Sequence, residues 1–413
     1  MKPVAIVLGG TVPHVQLVQK LKARGYYVVL ADYLDNPPAK RFADEHVKVS
    51  TLDQDAVLSL ARQREAALVI SACIDQANST CCYVAERLGL PHPYSYKTSL
   101  DVTDKGLMKR IMVENEIPTS TFQVVKDTSE VAWRHVEYPA VVKPVDCNSS
   151  KGVRRVDSQE EAERRILEAL PMSRTGHAII EGFNEGIEIQ VDCVAGRNGT
   201  KVLMTRQKQK INSDAGSFVL QSYGSIVPAN LDEQNLQQVQ DIAVKIAAAF
   251  ELRNTPFFFQ AIVTKTGVKV LEFAPRIGGG LSYYMLREWT GFDPVDAVIE
   301  SFLGHDVPSD AKCRDGLMAS CIIYATSGML DRIEGLQELK RTGAVREVFA
   351  YKTHGAKLDG DMRSSNRVAA FIVEDSSSAG LLRKEREALS RIEVYDVSGR
   401  KMLKRDLYGV LQD

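Results

Sequence analysis

A carboxylate and a guanidinium lie four residues apart in residues 269–280, which read KVLEFAPRIGGG. This run is β-prone at first and ends in three glycines, a pattern that indicates a strand leading into a glycine turn. Side chains alternate along a strand, so Glu272 and Arg276 are predicted to point the same way. A carboxylate and a cation on one face, next to backbone that a ligand can approach closely, suit metal-held phosphate chemistry. The alternative is a surface ion pair between the two.

This strand is predicted to be the second half of a hairpin. Residues 257–264 and 268–273 are β-prone and are joined by a three-residue loop, KTG, that ends in glycine. A turn centred on Thr266 pairs Gln260 with Glu272, and cross-strand neighbours are close enough to share one ligand. Mg²⁺ prefers oxygen donors from one or two side chains together with the phosphates that it carries. The pair therefore predicts a magnesium site.

A second candidate site follows the predicted strand of residues 140–143. Lys143 ends this strand, and a small polar loop comes after it. Lysine supplies a compact positive charge, and consecutive backbone N–H groups in such a loop form a concavity that binds anions. The alternative is a solvated hairpin loop. The loop residues with candidate roles are Ser149, Ser150, Lys151 and Gly152.

A third stretch, residues 181–192, carries regularly spaced acceptors. In its second half Glu188, Gln190 and Asp192 alternate with isoleucine and valine, as in a half-buried strand. That packing role explains the alternation by itself. Glu181 and Glu188 are also acceptors for an exocyclic amine or ribose hydroxyls, with Phe183 as an apolar wall.

The composition excludes several classes of protein. The chain has 413 residues, a formal net charge of -1 and 25% charged residues, so it presents no global field that attracts nucleic acid or an anionic membrane. Its seven cysteines form no Cys-x-x-Cys pair, which argues against a zinc site and against a disulfide framework. No apolar run approaches the roughly 20 residues of a membrane helix, and the first run is too short for a signal peptide. We expect a reduced, cytoplasmic protein without nucleic acid or membrane partners.

Alternating apolar runs and helical patterns predict a chain of α/β and α+β domains. Residues 1–95 repeat a β-α-β pattern, which implies a doubly wound parallel sheet covered by helices. Residues 96–305 mix helices with short strands, and residues 306–413 predict a small α+β domain. In the first domain the predicted strands are residues 4–8, 26–30 and 67–70, and the predicted helices are residues 53–64, 76–88 and a stretch that ends at Arg24.

The candidate motifs follow one another in a distinctive order. Along the chain come Lys105, Lys143, the polar loop, Glu181-Gly-Phe, Glu188 and Glu272-x-Ala-x-Arg276. In this order they resemble the ATP-grasp superfamily, in its biotin carboxylase-like and L-amino acid ligase-like carboxylate–amine ligases. The segment 104–109, DKGLMK, is also similar to that branch. The resemblance covers nearly the whole chain and implies an N-terminal nucleotide-fold domain, a central ATP-grasp domain and a C-terminal domain.

The resemblance implies a role for each motif, with ATP and Mg²⁺ as cofactors and Mn²⁺ as a substitute metal. Lys105 and Lys143 would hold ATP phosphates, and residues 149–152 would form the flap that closes over them. Glu188 would meet the ribose, and Glu272 would bridge the metal ions with Gln260 beside it. The adenine hinge would be Glu181, Gly182 and Phe183, and the acyl substrate would face Arg276, Gly278, Gly279 and Gly280.

Two positions depart from the pattern of the superfamily. Its members usually carry an acid where Gln260 stands and an asparagine where Ala274 stands. A neutral amide and a methyl group lower the negative charge of the site, which leaves open whether one or two metal ions bind.

The resemblance implies an ATP-dependent carboxylate–amine ligase. The reaction would pass through an acyl phosphate to an amide or peptide bond and release ADP and phosphate. The partners would be a small-molecule carboxylate and an amine, in a homodimer. Two alternatives stay open: an ATP-dependent carboxylase or formyl-transferring enzyme that acts on a purine-type precursor, and a nucleotide-binding regulatory protein with a degenerate site.

Overall fold

The first part of the chain folds as a parallel sheet covered by helices. In the computed structural model, which describes residues 2–147, 151–211, 221–363 and 366–411, its elements are β1 (Val4–Leu8), α1 (Val12–Ala23), β2 (Tyr27–Ala31), β3 (Glu45–Val47), α2 (Gln54–Gln63), β4 (Ala66–Ile70) and α3 (Asp75–Leu88). The strand order is β3-β2-β1-β4, and every pairing is parallel. The predicted doubly wound unit is confirmed, and the predicted elements agree within one residue at each end.

Strand β3 was missed by the sequence patterns. It has three residues, Glu45, His46 and Val47, all of them half-buried. Such a short segment with two polar residues shows no apolar alternation. Pairing with β2 makes it a strand, and that pairing is a tertiary contact.

A small antiparallel sheet follows two linking helices. Its elements, with the helices, are α4 (Tyr96–Thr103), α5 (Lys105–Glu114), β5 (Phe122–Val125), β6 (Ala140–Pro144), β7 (Arg154–Val156), α6 (Gln159–Ala169) and β8 (Ala178–Gly182). The strand order is β5-β8-β6-β7. Helix α5 begins at Lys105 because Asp104 caps it, its carboxylate accepting from the backbone N–H of Leu107 at 2.9 Å. The cap fixes where Lys105 leaves the helix.

An eight-stranded antiparallel sheet forms the centre of the molecule. The remaining elements are β9 (Ile187–Gly196), β10 (Gly199–Lys210), β11 (Ser222–Val227), α7 (Glu233–Ala249), β12 (Thr255–Thr264), β13 (Gly267–Ala274), α8 (Ser282–Thr290), α9 (Pro294–Phe302), β14 (Leu317–Ile323), β15 (Gly328–Glu334), α10 (Leu336–Arg341), β16 (Glu347–Ala350), β17 (Lys357–Leu358), β18 (Ala369–Asp375), α11 (Ser378–Arg391) and β19 (Glu393–Asp396). The order of the large sheet is β13-β12-β9-β10-β11-β14-β18-β16, and β17-β15-β19 form a separate small sheet.

The large sheet continues past the predicted domain boundary at residue 305. Strands β14, β18 and β16 extend the sheet that begins with the hairpin, because β11 pairs with β14 from Gly224 to Val227. Residues from the C-terminal region can therefore line the same surface as residues from the central region. The division into three domains stays a prediction.

Helices α8 and α9 join the N-terminal unit to the large sheet. Their buried residues, among them Leu286 and Ile299, belong to the same core as the strands of the first sheet. Lys20 of α1 also pairs with Asp293 and Asp296 at 3.1 and 2.7 Å. The glycine turn before α8 is thus held against the N-terminal unit. Within the described ranges, every helix falls short of the length and apolarity needed to cross a bilayer.

Candidate active site

The hairpin of β12 and β13 forms as the sequence predicts. Gln260 lies directly opposite Glu272 across the hairpin. On its other side Gln260 lies opposite Gln190 of β9, which in turn lies opposite Arg206 of β10. Neighbouring strands are about 4.8 Å apart, so these four residues form a polar row about 14 Å long across one face of the sheet. The row begins at the predicted metal site and ends at a cation.

Glu272 and Arg276 do not pair with each other. Glu272 lies 3.7 Å from Lys105 Nζ, and its side chain is 40% exposed. Strand β13 ends at Ala274, so the alternation of a strand does not extend to Arg276. The Nε and Nη2 atoms of Arg276 instead donate to the two carboxylate oxygens of Asp75, at 2.5 and 2.6 Å. The surface ion pair between Glu272 and Arg276, raised as the alternative, is therefore wrong.

The two-pronged contact between Arg276 and Asp75 joins the hairpin to the N-terminal unit. Asp75 is the first residue of α3, and the guanidinium carbon of Arg276 also lies 5.1 Å from the ring centre of Phe258. Arg276 Nη1 donates to the backbone oxygen of Ile277 at 3.0 Å. Planar guanidinium groups prefer this paired geometry with a carboxylate. The structure thus gives Arg276 a fixed orientation.

A buried trio of charged side chains lies behind the hairpin. Glu181 accepts from Lys143 at 2.5 Å, and its other carboxylate oxygen lies 2.9 Å from Lys109 Nζ. All three residues are buried, and Lys109 is 0% exposed. Burial works to raise the pKa of Glu181, but the two ammonium groups outweigh it and hold that pKa at about 2. Glu181, predicted to lie at the adenine hinge, is ionised and bound by two lysines.

Lys109 is a residue that the sequence interpretation did not place in the site. Its Nζ also donates to Thr119 Oγ1 at 2.7 Å, and that hydroxyl donates to the backbone oxygen of Val270 at 2.7 Å. Burial lowers the pKa of Lys109, while the charge of Glu181 opposes the shift. The spacing of Lys105 and Lys109, one helical turn apart on α5, was an available signal. Helix, small sheet and hairpin meet at this lysine.

The segments around the hinge and the flap are partly described. Gly182 donates its N–H to the Thr121 oxygen at 3.0 Å, and the Arg155 guanidinium carbon lies 5.0 Å from the ring centre of Phe183. Gly152 has a φ of +75°, and a Cβ there would lie 2.8 Å from Pro144 Cδ, so a larger residue would be strained. Lys151, next to it, is exposed. Ser149 and Ser150 lie outside the described residues.

The polar face predicted for β9 is confirmed. Ile189 and Val191 are fully buried on one side, while Gln190 and Asp192 face polar residues on the other. Asp192 lies 3.3 Å from Arg206 Nε. Glu188, predicted to meet the ribose, pairs with Lys210 of β10.

A pocket of about 80 Å³ opens beside this face. Three cations, Arg206, Lys208 and Arg367, contribute to its lining. Burial and the charge of Arg206 lower the pKa of Lys208 to about 8. Two buried atoms of lining residues, Arg367 Nε and the Tyr351 hydroxyl, have no hydrogen-bond partner in the part of the chain that the structure describes. The remaining lining residues are Gln190, Ser222, Gly224, Ser225, Gly279, Gly280, Leu281, Ser282, Ser320 and Ile322.

The glycine turn forms one wall of this pocket. A Cβ at Gly278 would lie 2.5 Å from Gln190 Nε2, so no side chain fits there. Gly280 has a φ of +65°, and a Cβ on it would lie 3.1 Å from Arg367 Nη1, whereas Gly279 faces open space. Ser282 donates its hydroxyl to the Gly279 oxygen at 2.9 Å and accepts from Arg206 Nη2 at 2.6 Å. The turn therefore brings backbone close to the pocket cations.

The donor set at the hairpin fits a hard divalent cation. Glu272 presents an exposed carboxylate, and the amide of Gln260 lies on the neighbouring strand. Carboxylate and amide oxygens are ligands that Mg²⁺ accepts while it keeps waters and phosphate oxygens. Ala274 lies opposite Phe258 and supplies no oxygen. Two side chains are thus available on this hairpin, and the ammonium group of Lys105 lies 3.7 Å from Glu272.

Two protein families match separate parts of the chain. Residues 103–280 match the family described as phosphoribosylglycinamide synthetase, ATP-grasp (A) domain. Residues 321–396 match the family described as L-amino acid ligase C-terminal domain 2. The first match contains the hairpin and the buried trio, and the second contains Tyr351 and Arg367 of the pocket.

Individual proteins are similar to larger parts of the chain than the two family matches cover. A formate-dependent phosphoribosylglycinamide formyltransferase from Ignicoccus hospitalis is 27% identical over 283 residues, which are 66% of this chain and 69% of that protein. The crystal structure of an L-amino acid ligase from Bacillus licheniformis has a TM-score of 0.80 at 22% identity and covers 96% of this chain and 99% of its own.

A third similar protein was crystallised with nucleotide and metal. The biotin carboxylase domain dimer of Hydrogenobacter thermophilus 2-oxoglutarate carboxylase, in complex with MgADP, ADP and bicarbonate, has a TM-score of 0.76 at 17% identity. It covers 97% of this chain and 92% of its own. The family matches show an ATP-grasp domain over residues 103–280, and the fold of the whole chain is similar to that of ATP-dependent ligases that form carbon–nitrogen bonds.

Proposed function

We propose that this protein is a carboxylate–amine ligase that uses ATP to join a small carboxylic acid to an amine through an acyl phosphate. The observation that carries the proposal is the basic pocket next to the polar row that starts at Glu272. One end of the row suits metal and phosphate, and the other end suits an anionic substrate.

The nucleotide is assigned to the side of the hairpin where the lysines converge. Lys105 and Lys143, on α5 and β6, would hold the phosphates, and Glu272 with Gln260 would hold Mg²⁺. The bound metal would draw negative charge from the phosphate oxygens during transfer. Lys105 Nζ donates to the Cys147 backbone oxygen at 2.7 Å, which fixes its side chain near Glu272. Each charged group is thus oriented by a contact within the chain.

The carboxylate substrate is assigned to the pocket. Arg206 and Lys208 line it from β10, and Arg367 lines it from just before β18. Guanidinium groups bind carboxylates through paired hydrogen bonds. Arg367 Nε and the Tyr351 hydroxyl, which have no hydrogen-bond partner among the described residues, supply donors for such a ligand. The match of residues 321–396 to an L-amino acid ligase domain supports this assignment.

The proposed reaction has two steps and needs no covalent intermediate with the protein. A carboxylate oxygen of the acid attacks the γ-phosphorus of ATP, the bond from that phosphorus to the bridging oxygen breaks, and ADP leaves. The amine nitrogen then attacks the carbonyl carbon, the carbon–oxygen bond to phosphate breaks, and nitrogen loses a proton. The chain's own groups align reactants and neutralise charge, which is the main source of catalysis in such transfers.

Formyl transfer is the second candidate, and the 27% identical formate-dependent relative favours it. Formate is itself a carboxylate, so the first step would be the same. The difference lies in the amine, since that relative's name specifies a phosphorylated sugar derivative. Under this candidate Arg206, Lys208 and Arg367 would receive a phosphate as well as a carboxylate.

A substrate matrix distinguishes the candidates. ADP release is measured with amino acids and other carboxylic acids, each with an amine panel, and separately with formate and phosphoribosylglycinamide. Stimulation by an acid and an amine, with the amide product found by mass spectrometry, supports the ligase. Stimulation only by formate with phosphoribosylglycinamide supports formyl transfer. Nucleotide binding without release of ADP in any arm contradicts both and favours the regulatory alternative.

The pocket assignment has its own test. Arg367→Met should raise the KM for the carboxylate-bearing substrate about 10–100-fold, because a paired charge-assisted contact is lost. The KM for ATP should stay within about twofold of the wild type. Arg332→Met, an exposed arginine on β15, is the matched control. An unchanged substrate KM in Arg367→Met would contradict the assignment.

A further inference from the structure

The buried trio contains one more positive charge than negative charge. Lys109 and Lys143 both pair with the single carboxylate of Glu181. Away from water, opposite charges attract strongly and an uncompensated charge is costly. One carboxylate neutralises one ammonium, so one unit of positive charge remains among the three side chains. That charge lies in the region assigned above to the nucleotide phosphates.

The two lysines differ in how firmly each is held. Lys109 is fully buried, lies 2.9 Å from Glu181 Oε2 as an ion pair, and donates to Thr119 Oγ1, whose hydroxyl donates to the backbone of β13. Lys143 makes one hydrogen bond among the described residues, to Glu181. An ammonium group has three donors, so Lys143 keeps two for another acceptor. Lys109 is thus held beside Glu181 by a second contact, whereas Lys143 has donors to spare.

We propose that Lys109 is a positioning residue that neutralises Glu181 and thereby leaves the charge of Lys143 available to the nucleotide phosphates. This inference rests on the proposed function, because it takes Lys143 as a phosphate ligand. Without Lys109, Lys143 and Glu181 form a neutral pair. Phosphate would then compete with a buried carboxylate for a single ammonium group.

A purely structural role for Lys109 makes a different prediction. If Lys109 only satisfies Glu181 and fills space, its loss lowers stability, and a further change at Glu181 has no reason to restore nucleotide binding. Under the charge-balance role, removing the charge of Glu181 releases Lys143 again. The double variant therefore separates the two roles.

The experiment is calorimetric titration of the full chain with MgADP, for the wild type, Lys109→Met, Lys109→Met/Glu181→Gln and Lys245→Met. Lys245 on α7 is partly exposed and bonds the Glu116 backbone, so it controls for loss of a lysine. We expect Lys109→Met to bind MgADP at least about tenfold more weakly and the double variant to return within about threefold of the wild type. The KM for ATP should rise more than kcat falls.

The possible outcomes distinguish failure of the charge-balance role from failure of the proposed function. Wild-type affinity in Lys109→Met, or a double variant as weak as the single one, overturns the charge-balance role. A wild-type protein that does not bind MgADP overturns the proposed function instead. If Lys109→Met does not fold, Glu181→Gln alone provides the test, because Lys143 is then free and binding should equal or exceed that of the wild type. Weaker binding in Glu181→Gln overturns the inference and favours Glu181 as an acceptor for adenine.

Discussion

Two groups of cations face the same active-site region, and they are built differently. On the proposed nucleotide side, Lys109 and Lys143 enclose Glu181 in a buried trio. On the proposed substrate side, Lys208 and Arg367 line an open pocket without an ion pair among the described residues. The first group is organised by a carboxylate of the chain itself. Among the described residues the second group has no such ion-pair partner, and we propose that a ligand supplies its counter-charge.

The contrast appears in the protonation of the lysines. Burial lowers the pKa of both Lys109 and Lys208. Glu181 opposes that shift for Lys109, whereas the neighbouring Arg206 adds to it and brings the pKa of Lys208 to about 8. A lysine whose pKa is about 8 changes its charge over a pH range close to neutrality, so the pocket around Lys208 is expected to respond to pH.

The largest effect on the rate of ADP release is expected from Glu272→Gln. Glu272 lies between the proposed nucleotide side and the proposed substrate side. The change removes the carboxylate nearest the predicted metal while it preserves the shape of the hairpin. ADP release at saturating substrates should fall at least about 10²-fold, as for loss of a group that stabilises developing charge. Circular dichroism should show an intact fold, and Glu334→Gln on exposed β15 is the control. Near-normal turnover would refute the metal role of Glu272.

The next prediction separates the charge of Arg276 from its orientation. Arg276→Met removes the guanidinium and should reduce turnover about 10²-fold, because the proposed contact with the acyl substrate is lost. Asp75→Asn keeps the guanidinium but removes its charged partner, and a loss of about tenfold is expected from poorer orientation. Steady-state ADP release measures both. If Asp75→Asn is as damaging as Arg276→Met, the pair acts as a structural clamp between the N-terminal unit and the hairpin.

A pH profile tests the substrate side alone. Lys208 is charged below its pKa of about 8 and loses that charge as the pH rises. The KM for the anionic substrate should therefore rise several-fold, up to about tenfold, between pH 7 and pH 9. The KM for ATP should change less over the same range. Lys208→Arg keeps its charge and should abolish the rise, so an identical profile in this variant would contradict the assignment to Lys208.

The smallest effect concerns a support beneath β10. Glu385 of α11 is fully buried, and Gln209 Nε2 donates to it at 2.9 Å. Burial raises the pKa of Glu385 to about 7. The folded state thus keeps a proton that the unfolded state loses above its ordinary pKa, so this contribution to stability is complete at low pH and is lost as the pH approaches about 7.

The measurement is the free energy of unfolding of the wild type and Glu385→Gln at pH 5 and pH 8. The wild type should lose about 1–3 kcal/mol more between the two values than the variant, because the amide does not ionise. Equal losses would show that Glu385 is ionised in the folded protein. Activity at pH 7 should change little, since this side chain is not part of the pocket.

The sequence predicted the elements with local signals. Strand β1, helix α2 and the hairpin form where the sequence patterns predict them. The signals were the periodicity of apolar residues, the capping residues and the glycine of the turn. The register of Gln260 opposite Glu272 also followed from the loop length alone. These features depend on contacts between residues only a few positions apart in the chain. Such local contacts can be predicted from short segments of sequence. The same holds for the polar face of β9.

The partners of the charged residues could not be predicted in that way. Arg276 was expected beside Glu272, but it is bound to Asp75, about 200 residues earlier in the chain. The pocket combines Arg206 and Lys208 of β10 with Arg367, which precedes β18, and they come together only because the large sheet crosses the predicted boundary at residue 305. No contiguous motif marks such a set.

The sequence by itself determined the order of the motifs, the secondary structure that carries them and the superfamily to which they point. The tertiary structure decided which charges are neutralised and which are left for a ligand. The physical reason is that the free energy of a charge depends on every group within several ångströms and on its exposure to water. For Glu272 and Glu181, two carboxylates that look alike in the sequence, that environment leaves one partly exposed and buries the other between two lysines.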